Sequence, residues 1–337
     1  MSDFDSPATT SLLPLPRLTR RETLSILTGI ALGSAISPSH AAQPATDAPR
    51  KSGPIGLGFS LYGCPGMMVE TSLRFCREVG YDSVELAVLP GYGAEPDQLD
   101  ATQRKQIRTL LGELPLRLSA VMENLSATSS ETDQVKMLDR LKKAGRLAHD
   151  VGAVTPPIVE TVCGGQAGQW DQLRNQMRDR IGQWAEEARR LEIQLAIKPH
   201  ASGAMNRPEQ ALWLLDQLRQ PALKLVYDFS HYDRRGFTID QTMQALLPQT
   251  VFVHVKDRDP KVDDIRFLLP GEGPTDYTHY LKTLAGLGYQ GDVVVEVSGQ
   301  IHRQPGYDAK QAITTCHARL SPAWNKAQVE RRAALKS

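Results

Sequence analysis

The chain has 337 residues, 41% of them apolar, and sets 39 Lys+Arg against 38 Asp+Glu for a formal net charge of +1. That length suits one domain of about 250 residues with extensions rather than two large domains, and the apolar content supports a sizeable core. A near-zero charge leaves no electrostatic footprint for nucleic acid and keeps small polar substrates open.

Taken in chain order, the first feature is Thr19-Arg20-Arg21-Glu22-Thr23-Leu24, a twin-arginine pattern. A modest apolar stretch over 24–36 and Ser39-His40-Ala41-Ala42 follow it. Basic region, short apolar region and small-residue cleavage site occur in the order of a secretory leader. Residues 1–42 are therefore expected to be a twin-arginine signal peptide that takes a folded protein to the periplasm or out of the cell. The apolar stretch is too short and too rich in Gly and Ser to remain as a membrane span. Residues 43–54 lack periodicity and read as a linker. Cys64, Cys76, Cys163 and Cys316 show no CxxC spacing, and free, partly buried thiols are expected of them.

From residue 55 onward, strand-like and helix-like patterns alternate. Strands are expected over 56–63, 81–88, 116–125, 154–162, 195–200, 223–231, 251–257 and 292–299. Helices are expected between them over 68–79, 96–114, 132–151, 169–191, 208–217, 240–247 and 274–287, with a last one over 308–320. The later strands are short, β-branched and almost uninterrupted apolar runs, the pattern of strands buried on both faces of a parallel sheet. Eight such units predict an α/β fold, a (β/α)8 TIM barrel over 55–325, followed by a tail over 326–337. The turn Gly63-Cys64-Pro65-Gly66 lacks the G-x-G-x-x-G order that an open dinucleotide-binding sheet would place there.

Polar residues gather at the C-terminal ends of these runs, the rim on which barrels build active sites. Asp228, His231, His254 and Glu296 lie there, and Asp, His and Glu converging on one rim are ligands for a divalent metal. Glu160 ends the fourth strand and could add a ligand. Lys198 ends the fifth, and a lysine at a barrel mouth needs an acidic partner, for which Glu160 and Glu296 are the candidates. His200, two residues further on, is a substrate contact or a second ligand. By alternation Lys256 shares a face with His254 and is a candidate to bind substrate, while Asp257 would orient the following loop. Glu123, Asn124 and Glu85 are further candidates for contacts to substrate or to the ligands.

Four of these segments, in this order, resemble motifs of the xylose isomerase-like TIM-barrel superfamily, the sugar phosphate isomerase/epimerase group that also contains endonuclease IV. They are Asp228-Phe229-Ser230-His231, His254-Val255-Lys256-Asp257, Pro270-Gly271-Glu272-Gly273 with Asp276-Tyr277, and Gly288-Tyr289-Gln290-Gly291 running into Glu296. The resemblance implies one divalent ion (Mn, Mg, Zn or Co) held by a Glu, an Asp, a His and a Glu on strands five to eight. The last three carry over to Asp228, His254 and Glu296, and His231 matches a residue that contacts a sugar oxygen. The first ligand is missing, because Lys198 stands in its place. In the family's epimerases the two glutamates carry protons on either face of the sugar, so here one of that pair is a cation.

Lys198 could move a proton, stabilise an oxyanion as a fixed charge, or fill the metal position outright. The expected activity is that of a metal-dependent sugar isomerase or epimerase that removes a proton alpha to a carbonyl through an enediolate, with Glu296, Lys198 and His231 as catalytic groups. A lyase or hydrolase of keto-sugars is the alternative that the exchange of Glu for Lys favours, and a non-catalytic sugar-binding protein is the third. The expected partner is a small carbohydrate, without nucleic acid and without membrane insertion after processing. Exposed barrel helices leave a homo-oligomer open.

Overall fold

A computed structural model describes residues 53–332 apart from residue 263. The expected signal peptide lies outside the described residues. Eight parallel strands close into a barrel: β1 (Gly56–Ser60), β2 (Ser83–Ala87), β3 (Arg117–Asn124), β4 (Ile158–Val162), β5 (Gln194–Lys198), β6 (Leu223–Tyr227), β7 (Thr250–Val255) and β10 (Asp292–Val295). Each pairs with its neighbours in sequence, and β10 pairs with β1 through the register Gly56 to Asp292, which shuts the ring. The connecting helices are α1 (Val69–Val79), α2 (Ala101–Glu113), α3 (Glu131–Asp150), α4 (Trp170–Arg190), α5 (Pro208–Leu218), α6 (Ile239–Leu246) and α7 (Tyr277–Gly286). The short α8 (Gly299–His302) and the long α9 (Ala309–Ala327) follow the last strand. The expected barrel is thus present. Among the described residues no helix is long and apolar enough to cross a membrane.

Helix starts follow side-chain chemistry. Asp100 and Gln103 form a capping box that sets α2 at Ala101, so the expected helix over 96–114 begins later, after a separate turn at Pro96–Gln98. Thr238 and Gln241 do the same for α6, and Pro208 opens α5 at the position where its missing N–H is harmless. Strand β4 starts only at Ile158, because Pro156 and Pro157 have no N–H to give to a ladder. The expected strands over 56–63, 223–231 and 292–299 run on farthest past the observed ends. The residues after β1 and β6 turn into tight helices at Leu61–Gly63 and Phe229–His231, and those after β10 lead to α8.

Beyond β7 the chain makes a small ribbon that the sequence reading did not anticipate: β8 (Asp257–Arg258) pairs antiparallel with β9 (Phe267–Leu268). Asp257 anchors the loop that returns from it. Its Oδ2 accepts from the backbone N–H of Gly271 (2.8 Å) and Gly273 (2.9 Å), and its Oδ1 accepts from the Tyr277 hydroxyl (3.0 Å). Asp257 is fully buried. Asp257→Ala should therefore strand buried donors and destabilise the protein by about 1–3 kcal/mol, read as a lower urea midpoint.

Period-two alternation sorts the strand side chains. Val159, Leu195, Ile197, Tyr227, Val253, Val293 and Val295 pack outward under the helices as part of the main core. Ala120, Ala196, Val226, Phe252 and Val294 form a separate apolar cluster inside the ring. The next inward position is polar on four of these five strands (Lys198, Asp228, His254 and Glu296; on β3 it is Met122), which is where the site begins. At the opposite end, the two ends of the described chain meet: the Ile55 N–H donates to Glu330 O (3.0 Å), and the Arg332 N–H and the Trp324 indole donate to Ile55 O (3.2 and 2.7 Å). The four cysteines are buried free thiols.

Candidate active site

One step above the apolar cluster, alternation turns Glu85 of β2, Glu160 of β4, Lys198 of β5, Asp228 after β6, His254 of β7 and Glu296 after β10 into the mouth of the barrel. All six are buried. Lys256, two residues past His254, joins them. A cavity of about 220 Å³ opens over this layer, lined among others by Tyr62, Glu123, Asn124, Glu160, Lys198, His200 and Glu296.

Lys198 is the hub. Its Nζ donates to Glu296 Oε2 (2.9 Å), lies 3.1 Å from His254 Nδ1 and stands 3.6 Å from Glu160 Oε1. Both carboxylates expected to pair with it do so. Burial alone would lower the lysine's pKa, but Glu160, Glu296, Asp228 and Glu85 outweigh it and hold the pKa well above the ordinary lysine value. The surrounding carboxylates thus favour the charged form of Lys198. Lys256 supplies a second ammonium, hydrogen-bonded to Asp228 Oδ2 and donating to Glu296 Oε2 at 2.8 Å.

Glu160 sits on the opposite wall of the ring from Glu296, since four steps of the strand order separate β4 from β10 in either direction. The two carboxylates nevertheless touch the same ammonium. Their environments pull them apart. Burial raises Glu160 to about 7, with Lys198 offsetting only part of the effect, and its Oε2 has no hydrogen-bond partner among the described residues. Glu296 is also penalised by burial, but Lys198, Lys256 and His254 hold it well below the usual carboxylate range. One acid is thus poised to gain or lose a proton near neutrality while the other stays ionised.

His254 is fixed from both sides. Its Nε2 lies 3.0 Å from Glu85 Oε2 and its Nδ1 3.2 Å from Glu296 Oε2. Burial lowers its pKa, but Glu85 and Glu296 raise it more, to about 9. His231 lies in the turn after β6, its Nε2 3.4 Å from Lys256 Nζ, and burial together with Lys256 keeps it neutral. It does not cap its helical turn; Asp228 does, accepting from the Ser230 N–H (3.1 Å). His200 lines the cavity with its ring 4.2 Å from that of His231, and burial, Lys256 and Lys198 lower its pKa to about 4. Glu123 reaches the cavity wall, but its carboxylate is paired with Arg140 of α3.

Some partners were not legible beforehand. Phe267 of β9 lies under the Lys256 ammonium (5.0 Å to the ring centre) and against His231 (5.4 Å), and His302 of α8 packs edge-on to Tyr62 (4.7 Å). Both come from elements that the sequence pattern did not reveal. Gly164 and Gly165, in the loop after β4, have φ of +80° and +74°, and a Cβ on them would lie 2.3 Å from Ser126 Oγ and 2.6 Å from Ala204 Cβ. The Gly-Gly pair after Cys163 was the available signal for this close approach at the cavity lip.

The expected ligand group does converge: one donor atom each from Asp228, His254 and Glu296 lies within 4.8 Å of the others, and Glu160 groups separately with Glu85 and His254. A divalent ion would need such atoms at about 2.0–2.2 Å. As arranged, the group does not fit one. Glu296 Oε2 accepts from both ammoniums, Asp228 Oδ2 accepts from Lys256, and Lys198 Nζ stands against His254 Nδ1.

Among known proteins, the L-ribulose-5-phosphate 3-epimerase UlaE of Salmonella typhi is 27% identical over 261 residues, covering 74% of this chain and 89% of that one. A crystal structure of the IolI protein with a zinc atom superposes with a TM-score of 0.67 at 18% identity, covering 81% of this chain and 99% of that one. An L-ribulose 3-epimerase does so with a TM-score of 0.65 at 17% identity, covering 81% and 96%. The structural likenesses show the shared barrel. The family model described as "Xylose isomerase-like TIM barrel" matches residues 73–319, nearly the whole ring, and the chain belongs to that family.

Proposed function

We propose that this protein is a sugar isomerase or epimerase that moves a proton alpha to a carbonyl through an enediolate. The carrying observation is the pair of buried carboxylates, Glu160 and Glu296, brought from opposite walls of the barrel onto one ammonium at the floor of a sugar-sized cavity. Two groups on opposite sides of one carbon are what inversion of a centre needs, and an adjacent cation is what the developing oxyanion needs. The epimerases among its relatives support the same reading.

In this reading Glu160 exchanges the proton, because a general base works best when its pKa lies near the working pH. Glu296, ionised on the other side, is the base that takes a proton when Glu160 gives one, so the two exchange roles between the two directions. Lys198 holds the carbonyl oxygen as charge builds on it. His200 is neutral and donates or accepts at a sugar hydroxyl, and the Asn124 amide, which also lines the cavity, offers both kinds of bond. Tyr62 closes one wall and stacks with Tyr92 at 5.6 Å between ring centres, an apolar surface suited to the face of a sugar ring.

Incubation of keto-sugars with the protein in deuterated water tests the proposal. Deuterium should appear at the carbon next to the carbonyl in recovered sugar. Loss of a substituent instead would favour elimination from a keto-glycoside, for which a near-neutral Glu160 could protonate the leaving group. Ligand-induced melting shifts with neither outcome would leave only a binding protein.

The leader around Arg20-Arg21 supports a site of action in the periplasm or outside the cell. Recovery of the protein from the periplasmic fraction with a new N-terminus near residue 43 is the expected result. Retention in the cytoplasm at full length would overturn that reading.

A further inference from the structure

We propose that the enzyme is metal-independent: the Lys198 ammonium takes the place of the divalent ion as the electrophile facing the substrate, and Lys256 is the positioning residue that neutralises Asp228 and Glu296 behind it. This role presupposes the proton-transfer reading given above.

The geometry divides the two lysines. Lys198 lines the cavity together with Glu160 and Glu296, whereas Lys256 is not among the cavity's lining residues and lies against Asp228, Glu296 and the Phe267 ring. Lys198 is only 3% exposed, so a substrate oxygen reaching it leaves water behind, where a fixed charge acts most strongly. The two carboxylates that would ligate an ion beside His254, Asp228 and Glu296, already have a protein ammonium at hydrogen-bonding distance. Glu296 Oε2 is 2.9 Å from one ammonium and 2.8 Å from the other, and Asp228 Oδ2 is bonded to the second. A divalent ion placed among them would meet two ammoniums whose like charge opposes its own.

The step balances without an ion. Glu160 takes the proton from the carbon next to the carbonyl and becomes a carboxylic acid. The electron pair of the broken C–H bond spreads onto the carbonyl oxygen as an enediolate. Lys198 donates hydrogen bonds to that oxygen and keeps its own protons. Return of a proton to the same carbon, from the Glu160 acid for exchange or from a protonated Glu296 on the other face for inversion, restores the carbonyl and regenerates the carboxylate that gave it.

The test uses the full chain purified from cells grown with added manganese, zinc and cobalt. Elemental analysis should find far less than one equivalent of any of them, and titration with Mn²⁺ or Zn²⁺ should release no heat attributable to a stoichiometric site. Deuterium exchange should survive prolonged treatment with EDTA. One tightly held equivalent, or exchange that disappears with EDTA and returns with a metal, would overturn the proposal. Two variants sharpen the result. Lys198→Glu should gain a stoichiometric Mn²⁺ or Zn²⁺ site, because it removes one cation and adds a carboxylate beside His254 and Glu296. Lys198→Met should lower exchange about 10²–10³-fold, the usual loss for one oxyanion donor, and added metal should not restore it. Metal rescue of Lys198→Met would count against the proposal. Should no sugar exchange at all, the proton-transfer reading falls, while metal content and titration still decide whether the site holds an ion.

Discussion

Glu160→Gln should abolish most of the turnover while leaving the fold intact. Removing a positioned general base lowers rates by about 10²–10⁴-fold. The substitution keeps the shape, and Lys198, 3.6 Å from Glu160, retains Glu296 as its partner. Stability should not suffer. The folded protein holds the Glu160 proton up to about pH 7, whereas an unfolded chain releases it near the ordinary value of 4.5. A group with a raised acid pKa opposes folding increasingly as pH climbs from about 4.5 through about 7. The glutamine variant lacks this penalty, so at pH 8 it should melt no lower than the parent chain. In the direction that uses Glu160 as the base, exchange by the parent chain should rise with pH through about 7. In the opposite direction, where Glu160 is the acid, it should fall. Both dependences should vanish in the variant. An unchanged rate in Glu160→Gln would remove Glu160 from the chemistry.

Lys256→Met should instead strike stability. Asp228 and Glu296 share this ammonium, and Asp228 is 1% exposed. Removing one partner of a buried ionic group leaves uncompensated charge and costs about 3–5 kcal/mol. A urea titration at pH 7 should show the loss as a lower midpoint with an unchanged slope. The deficit should narrow as pH falls. Glu296 is held well below the usual range in the parent chain, so it contributes stability that is present above about pH 4.5 and lost only when the pH drops through its depressed folded value. Without Lys256 that depression weakens, and the contribution is already smaller at neutral pH. Pairing Lys256→Met with Asp228→Asn should recover part of the loss, since the second change removes one stranded charge. Strict additivity of the two would argue against direct coupling.

The barrel was legible because strands buried on both faces leave apolar runs that little else produces, as in Asp292-Val293-Val294-Val295. The polar layer was legible for a related reason: a charged residue one alternation step beyond an inward apolar one, as in Ala196 then Lys198 or Val294 then Glu296, has nowhere to point but the mouth. What hid was the pairing. Sequence placed Lys256 on the same face as His254, yet nothing in spacing says that its ammonium would reach across to Asp228 and Glu296. That depends on ring closure between strands far apart in the chain. The difference between Glu160 and Glu296 was equally hidden, because it arises from how many cations each meets after burial. The ribbon of β8 and β9 and the turn of α8 escaped because two-residue strands and four-residue helices carry too little periodicity to register.

Ile55 and Glu330 are joined by a backbone hydrogen bond on the face away from the cavity. A short bridge between residues 53 and 332 would thus turn the barrel into a loop without a break, and new termini could be opened at a surface turn on the same lower face, such as the one between α5 and β6. Circularly permuted versions of this protein should keep the substrate mouth intact, and a reporter fused at either natural end of the barrel would hang beneath it rather than across its entrance.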